Sequence, residues 1–122
     1  MVVLIGLDQL TKLGWRWFFP NLIVLNRAGP LGLAPWWVAP IGFLMICLWS
    51  WRRQQLNWGI CLILAGGLSN LIDRFFWGGV VDFFTIGFLP VFNLADLVIN
   101  LGLLIMVGAQ LTQFREAKWN QR

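Results

Sequence analysis

Four apolar stretches, separated by shorter polar segments, make up most of the chain. A helix that crosses a bilayer takes about 17 to 25 apolar residues, and the last three stretches reach that length. Their Gly- and Leu-rich runs lack the alternation of barrel strands, which favours helices. The pattern predicts four transmembrane helices, at about 1–14, 35–51, 56–72 and 94–113. The first is short, which indicates either an incomplete span or a start farther upstream.

The composition agrees with a membrane location. Hydrophobic residues make up 59% of the chain and charged residues 11%, and the mean hydropathy is +0.74. A soluble domain of this size is far less apolar. Tryptophans fall at the predicted helix ends, as expected for rings at a lipid–water boundary; they are Trp36, Trp37, Trp49, Trp51 and Trp58.

The segments between the helices predict the orientation and a small outer element. Residues 15–35 and 74–92 mix aromatic and β-branched residues with Gly and Pro, which is typical of short strands or interfacial loops. Basic residues at 52–53 and 115–122 indicate the cytoplasmic side, where both termini are then expected. The predicted fold is therefore a single all-α membrane domain over 1–122, with four transmembrane helices and a small β-like or interfacial element on the outer face.

The residue types narrow the possible chemistry. The chain has no histidine, which excludes Ser-His-Asp and Cys-His catalysis and zinc bound by histidine. Cys47 and Cys61 lie inside apolar runs and are expected to be packing residues. We therefore expect no metal and no cofactor. The net charge is +4, but the basic residues are scattered at helix ends, so anionic lipid headgroups are expected partners and nucleic acid is not.

Four of the five acidic residues are predicted to meet at the outer membrane face: Asp8, Asp73, Asp82 and Asp96. Placing an ionisable group at membrane depth costs at least a few kcal/mol, so the clustering of these four acids requires an explanation. A structural reason exists for some of them. Asp8 has the spacing to pair with Lys12 across one helical turn, and the charged pair at 73–74 has the placement to anchor a helix end.

Asp82 and Asp96 form a candidate catalytic pair. Asn93 and Asp96 have the spacing of a helix N-cap with an acid in the first turn, which favours an ionised Asp96. Asp82 lies between apolar residues and is expected to resist ionisation. Two neighbouring carboxyls that share a proton are the working parts of an aspartic hydrolase, in which one activates water and the other polarises a carbonyl.

The motifs resemble those of the bacterial lipoprotein signal peptidases, the type II signal peptidases. The resemblance covers nearly the whole chain. It is carried by Asp8-Gln9-Leu10-Thr11-Lys12, Asn26, Gly66-Gly67-Leu68-Ser69-Asn70-Leu71-Ile72-Asp73-Arg74, Val80-Val81-Asp82-Phe83 and Phe92-Asn93-Leu94-Ala95-Asp96.

This resemblance implies a monomeric aspartic endopeptidase of the bacterial cytoplasmic (inner) membrane, with its active site facing the periplasm or exterior. It would remove signal peptides from prolipoproteins, cutting before a cysteine that carries diacylglycerol, and globomycin-type cyclic peptides would inhibit it. Asp82 and Asp96 match the catalytic residues of the family. The positions that match supporting or substrate-contacting residues are Asp8, Lys12, Asn26, Gly66, Asn70, Asp73, Arg74 and Asn93.

Two departures from the family pattern leave other functions open. Ser69 stands where the family usually has Gly, and the element at Asn26 is altered in the residues that follow it. One alternative is a non-catalytic or degenerate membrane protein of the same fold, or a small ion-conducting element built around the same acids. Another is a Ser-Lys protease that uses Ser69 with Lys12.

Overall fold

The computed structural model describes residues 1–29, 34–53 and 57–120, apart from the side chains of residues 53 and 120. Four α-helices and two short strands account for most of them. The helices are α1 Val2–Phe18, α2 Val38–Arg53, α3 Trp58–Trp77 and α4 Leu94–Asn120, and the strands are β1 Val24–Asn26 and β2 Val80–Asp82. A 3-10 turn at Pro20–Leu22 follows α1.

Three helices extend beyond the predicted membrane spans. The predicted spans end near residues 14, 72 and 113, whereas α1, α3 and α4 continue beyond these points. The length of an apolar stretch predicts only the part of a helix that lipid can cover. The helix itself can be longer, because its backbone hydrogen bonds can continue through charged residues beyond that part. The αL conformation of Gly78, with φ of 70°, then ends α3, and its N–H donates to the carbonyl of Arg74.

Within the described residues, two helices are long and apolar enough to cross a membrane: Trp58–Trp77 and Leu94–Trp119. The apolar helix Val38–Arg52 is shorter, and α1 carries charged residues along its length. The prediction of a mostly helical fold is therefore confirmed. Two of the four predicted spans lie in helices that are long and apolar enough to cross a membrane. Large apolar side chains on α4, among them Leu104 and Phe114, are exposed to the surroundings, as expected for a helix in lipid.

Helix α3 lies at the centre of the helices and contacts α1, α2 and α4. Small residues let α4 approach it closely. A Cβ added to Gly66 would lie 2.5 Å from the carbonyl oxygen of Ala95, and one added to Gly102 would lie 2.5 Å from that of Gly59. Close backbone approach through glycines is a common way to pack helices in membranes, where there is little hydrophobic driving force between them.

The predicted outer element is a two-stranded antiparallel sheet. Strand β1 pairs with β2 so that Val24 lies opposite Asp82 and Asn26 opposite Val80. The chain then passes through a loop with a bridge between Phe84 and Phe92. This loop brings the segment after β2 back to the start of α4, as the sequence predicts for the two carboxyls.

Candidate active site

A buried lysine links α1 to α3. The Nζ atom of Lys12 lies 2.6 Å from Oδ2 of Asp8, 2.7 Å from Oδ2 of Asp73 and 3.0 Å from Oδ1 of Asn70. Lys12 is 2% exposed, Asp8 1% and Asp73 0%. The predicted pairing of Asp8 with Lys12 is confirmed, and Asp73 is a second, non-local partner that helical spacing does not reveal.

Gln9 and Ser69 complete this cluster, and the sequence reasoning missed Gln9. Its Nε2 atom donates to Oγ of Ser69 at 2.9 Å and to Oδ1 of Asp73 at 2.8 Å. The Ser69 hydroxyl donates to Oδ2 of Asp8 at 2.7 Å. The position of this amide directly after Asp8, on the helix that also carries Lys12, was the available signal.

These contacts do not favour the Ser-Lys protease. Ser69 is fully buried, and its hydroxyl is held by Asp8 rather than by an amine. The Nζ atom of Lys12 contacts the carboxylates of Asp8 and Asp73, whereas a Ser-Lys protease needs a lysine amine that accepts the proton of the serine hydroxyl. Ser69 is therefore a structural hydrogen-bonding residue, and its departure from the usual Gly is accommodated within the cluster.

Asp8 also holds the start of α4. Its Oδ1 accepts a hydrogen bond from the backbone N–H of Ala95 at 2.8 Å. One residue further, the N–H of Asp96 donates to Oδ1 of Asn93 at 3.0 Å, while the N–H of Asn93 donates to Oδ2 of Asp96 at 3.1 Å. This reciprocal pair is a capping box. It confirms the predicted cap and fixes the side chain of Asp96 at the helix N-terminus.

Two amide side chains connect Asp82 to Asp96. Nδ2 of Asn93 donates to Oδ1 of Asp82 at 2.7 Å and to Oδ1 of Asn70 at 3.1 Å. Nδ2 of Asn70 in turn donates to Oδ1 of Asp96 at 2.9 Å. The two carboxyls thus lie on one short chain of hydrogen bonds, in which both asparagine orientations are fixed by their partners.

The surroundings of Asp82 disfavour its charged form. Burial, and then the neighbouring charge of Asp96, raise the pKa of Asp82 to about 7, although hydrogen bonds from Asn93 and Asn26 act in the opposite direction. The sequence-based expectation that this carboxyl resists ionisation agrees with this shift. A carboxyl that keeps its proton near neutral pH is available to donate it to a carbonyl.

Arg74 and Asn26 border the pair from the sheet side. The guanidinium of Arg74 donates to the carbonyl of Asn70 at 3.4 Å and to that of Ala28 at 3.3 Å. Oδ1 of Asn26 accepts from the N–H of Ala28 at 3.1 Å. Among the described residues, no group accepts from the buried Nε of Arg74. Arg74 therefore fixes the segment after β1 against α3.

The two carboxyls border a cavity of about 420 Å³ between α2, α3 and α4. Beyond Asp82 and Asp96, its walls are mostly apolar, with Phe43 and Ile46 from α2 and Ile63 from α3. A pair of acids in the wall of a mostly apolar cavity has the form expected of a binding site for a molecule with a polar and an apolar part.

The structure brings all ten predicted site residues together. Eight of them are joined by the hydrogen bonds and ion pairs above, and Asn26 reaches Asp82 from β1. Gly66 differs in kind, since it supports the site by letting α4 approach α3. Within the described residues, no cluster of three or more His, Cys, Asp or Glu side chains has the arrangement of a metal site.

The fold is that of bacterial membrane enzymes. One solved structure, titled "Bacterial membrane enzyme structure by the in meso method at 2.3 A resolution", matches with a TM-score of 0.71 and 23% identity, over 93% of this chain and 85% of that one. A second, similarly titled at 1.9 Å, matches with a TM-score of 0.67 and 25% identity, over 90% and 88%.

The sequence matches the Peptidase_A8 family model, described as Signal peptidase (SPase) II, over residues 1–112. The chain therefore belongs to the signal peptidase II family, a family of peptidases.

Curated relatives named "Lipoprotein signal peptidase" agree with this assignment. The protein of Gloeothece citriformis is 35% identical over 88% of this chain and 84% of its own length. That of Syntrophomonas wolfei is 42% identical over 69% and 64%, and that of Lactococcus lactis strain IL1403 is 41% identical over 57% and 50%. The matched segments thus cover about half to two thirds of the latter two relatives.

Proposed function

We propose that the protein is a membrane-embedded aspartic endopeptidase that removes signal peptides from diacylglyceryl-modified prolipoproteins, cutting before the lipidated cysteine. Membership of the signal peptidase II family supports the reaction class. The observation that carries the mechanism is the placement of Asp82 and Asp96 in the wall of one mostly apolar cavity, connected through Asn93 and Asn70.

In the proposed reaction, the two carboxyls have different protonation states. Asp96, which accepts hydrogen bonds at both oxygens from Asn70 and from the N–H of Asn93, is the carboxylate of the pair in this proposal. It takes a proton from water as the water oxygen attacks the scissile carbonyl carbon. Asp82 donates its proton to the carbonyl oxygen. The tetrahedral intermediate then breaks its C–N bond, and the leaving amine takes the proton held by Asp96 while Asp82 regains its own.

The remaining polar residues position this pair. Asn93 and Asn70 orient the carboxyls, and the ion cluster of Asp8, Lys12 and Asp73 holds α1 and the start of α4 against α3. Arg74 and Asn26 support the sheet and border the place where a peptide would lie. All these groups belong to the protein itself, so the proposed mechanism uses no cofactor.

The proposed setting is the cytoplasmic (inner) membrane of a bacterium. The chain forms one domain in which all four helices span the bilayer, both termini face the cytoplasm and the carboxyl pair faces the periplasm or exterior. The exposed apolar residues of α4 and the basic residues at its end support this arrangement. We propose that the protein acts as a monomer and that globomycin-type cyclic peptides inhibit it by occupying the cavity.

Replacing each carboxyl tests the proposal. Asp82→Asn and Asp96→Asn should each lower cleavage of a diacylglyceryl-modified proprotein by about 10² to 10⁴ or more, since each removes acid–base chemistry. Glu116→Gln, on the exposed end of α4, is the control and should cleave normally. Undiminished turnover in either Asp variant would remove the pair from the mechanism.

The non-catalytic alternative is tested by the parent protein. A well-folded preparation that neither cleaves the substrate nor binds globomycin would favour a degenerate homologue. Inhibition at a near-stoichiometric amount of globomycin would exclude it.

A further inference from the structure

One polar residue of the cavity wall takes no part in the network of the site. Asn100 lies on α4, one turn beyond Asp96, and lines the same cavity as Ile99 and Leu103. The other polar residues of the wall are held by hydrogen bonds within the site: Asn26, Asn70, Arg74, Asp82 and Asp96. Among the described residues, none donates to or accepts from the exposed amide of Asn100.

An amide at this position needs a polar partner. It lies within an apolar helix long enough to cross a membrane, and a polar group in lipid is costly when it has no hydrogen bond. The cavity wall around it is apolar, with Ile99 before it and Leu103 one turn beyond. A bound molecule that carries an acceptor group at this depth would therefore be stabilised by Asn100.

The proposed substrate has such a group in a suitable position. Four residues of helix place Asn100 about 6 Å along α4 from Asp96. In a diacylglyceryl cysteine, about eight bonds separate the scissile carbonyl carbon from the first ester carbonyl carbon, which is roughly 10 Å when extended. With the scissile bond at Asp96 and the acyl chains in the cavity, a fully extended linker would reach about 4 Å beyond Asn100, so a bent linker places an ester carbonyl at the depth of Asn100.

We propose that the side-chain amide of Asn100 donates a hydrogen bond to an ester carbonyl of the diacylglyceryl group, so that the protein recognises the ester linkage as well as the acyl chains. The inference rests on the proposed function, because it names the part of the same substrate that Asn100 binds. Asn100 is a substrate-binding residue in this account, separate from the carboxyl pair that carries out hydrolysis.

The test compares two substrates in each enzyme. One proprotein carries the diacylglyceryl group, and the other carries its dialkyl ether analogue, which has the same chain lengths but lacks the carbonyls. The parent protein should cleave the ester form with a kcat/KM about three- to tenfold above that of the ether form, as the loss of one neutral hydrogen bond predicts. In Asn100→Leu, this ratio should fall to about one, mainly through a higher KM for the ester substrate.

Two further variants separate recognition from general damage. Asn100→Gln keeps an amide and should retain part of the ester preference. Gln110→Leu removes an amide from α4 outside the cavity lining and should keep the parent ratio. An Asn100→Leu protein that keeps the parent ratio would overturn the inference while leaving the proposed function standing, as would a parent ratio of one. A parent protein that cleaves neither substrate would instead overturn the proposed function.

Discussion

At the scale of single residues, the raised pKa of Asp82 predicts how activity depends on pH. Burial and the charge of Asp96 raise this pKa to about 7. The folded protein therefore keeps the proton that Asp82 is proposed to donate until the pH approaches 7. We expect kcat/KM to fall as the pH rises through about 7, because the second carboxyl then loses the shared proton. Steady-state cleavage across pH 5 to 9 measures this, and a rate that stays constant up to pH 9 would contradict it.

The same shift predicts a trend in stability. The pKa of an aspartate in the unfolded chain is near 4, so the unfolded state ionises first as the pH rises. The contribution of Asp82 to the free energy of unfolding therefore decreases from about pH 4 to about pH 7 and is constant above that range. Thermal unfolding of Asp82→Asn in detergent should show a weaker decrease over this range than the parent. Equal slopes for the two proteins would show that Asp82 has an ordinary pKa.

Lys12 gives a second prediction at this scale. Lys12→Met would leave Asp8 and Asp73 buried without their counter-charge. Breaking a buried pair in this way costs about 3 to 5 kcal/mol, so we expect a large drop in the unfolding temperature in detergent. Lys118→Met removes a lysine from the exposed end of α4 and is the matched control. Similar unfolding temperatures for both variants would mean that the cluster does not stabilise the fold.

The local pairs of the site and the meeting of its acidic residues could be predicted from sequence, but the individual hydrogen bonds between distant residues could not. Asp8 with Lys12 and Asn93 with Asp96 are separated by one helical turn, so their spacing reveals them. The contacts of Gln9 with Ser69 and Asp73 join residues about 60 positions apart. They depend on how α1 docks against α3, which periodicity within one helix does not determine.

At the scale of elements, the packing of α4 on α3 positions Asp96. Gly66→Ala should push the start of α4 away, because the new Cβ would lie 2.5 Å from the backbone oxygen of Ala95, and backbone cannot rotate out of the way. We expect a lower unfolding temperature and a cleavage rate at least tenfold lower. A displaced Asp96 needs to lose only about 1.4 kcal/mol of transition-state stabilisation to lower the rate tenfold. Measurements of the unfolding temperature and of the cleavage rate of Gly66→Ala test this prediction.

Gly108→Ala is the control for this prediction. A Cβ at Gly108 on α4 would meet nothing within 4 Å, so this variant should keep the parent activity. A Gly66→Ala protein that cleaves as fast as the Gly108→Ala protein would show that the close approach does not position the carboxyl pair.

The elements themselves show what a hydrophobic pattern can and cannot predict. The existence of four helices and of short strands in the segments between them was predicted correctly. The predicted membrane spans do not give the full lengths of α1, α3 and α4, because these helices continue through charged or polar residues beyond the spans. The pairing of β1 with β2 could not be predicted from the sequence either, because it joins segments more than 50 residues apart.

At the scale of the whole molecule, the proposed orientation can be tested by labelling. In a Cys47→Ala and Cys61→Ala background, Phe88→Cys adds a thiol to a loop residue that is 98% exposed, and Lys118→Cys adds one to the far end of α4. A membrane-impermeant maleimide applied to spheroplasts should label the first and reach the second only after permeabilisation. The reverse result would invert the topology and place the carboxyl pair in the cytoplasm.

The bond from Ala95 to Asp8 joins residues 87 positions apart, and it has a consequence for biosynthesis. The first turn of the last helix depends on a carboxylate near the beginning of the chain, with Lys12 and Asp73 between them. The proposed catalytic pair can therefore form only after residues 8 to 96 have been synthesised and the start of α4 has docked against α1. We expect products that stop before Asp96 to lack the proposed proteolytic activity.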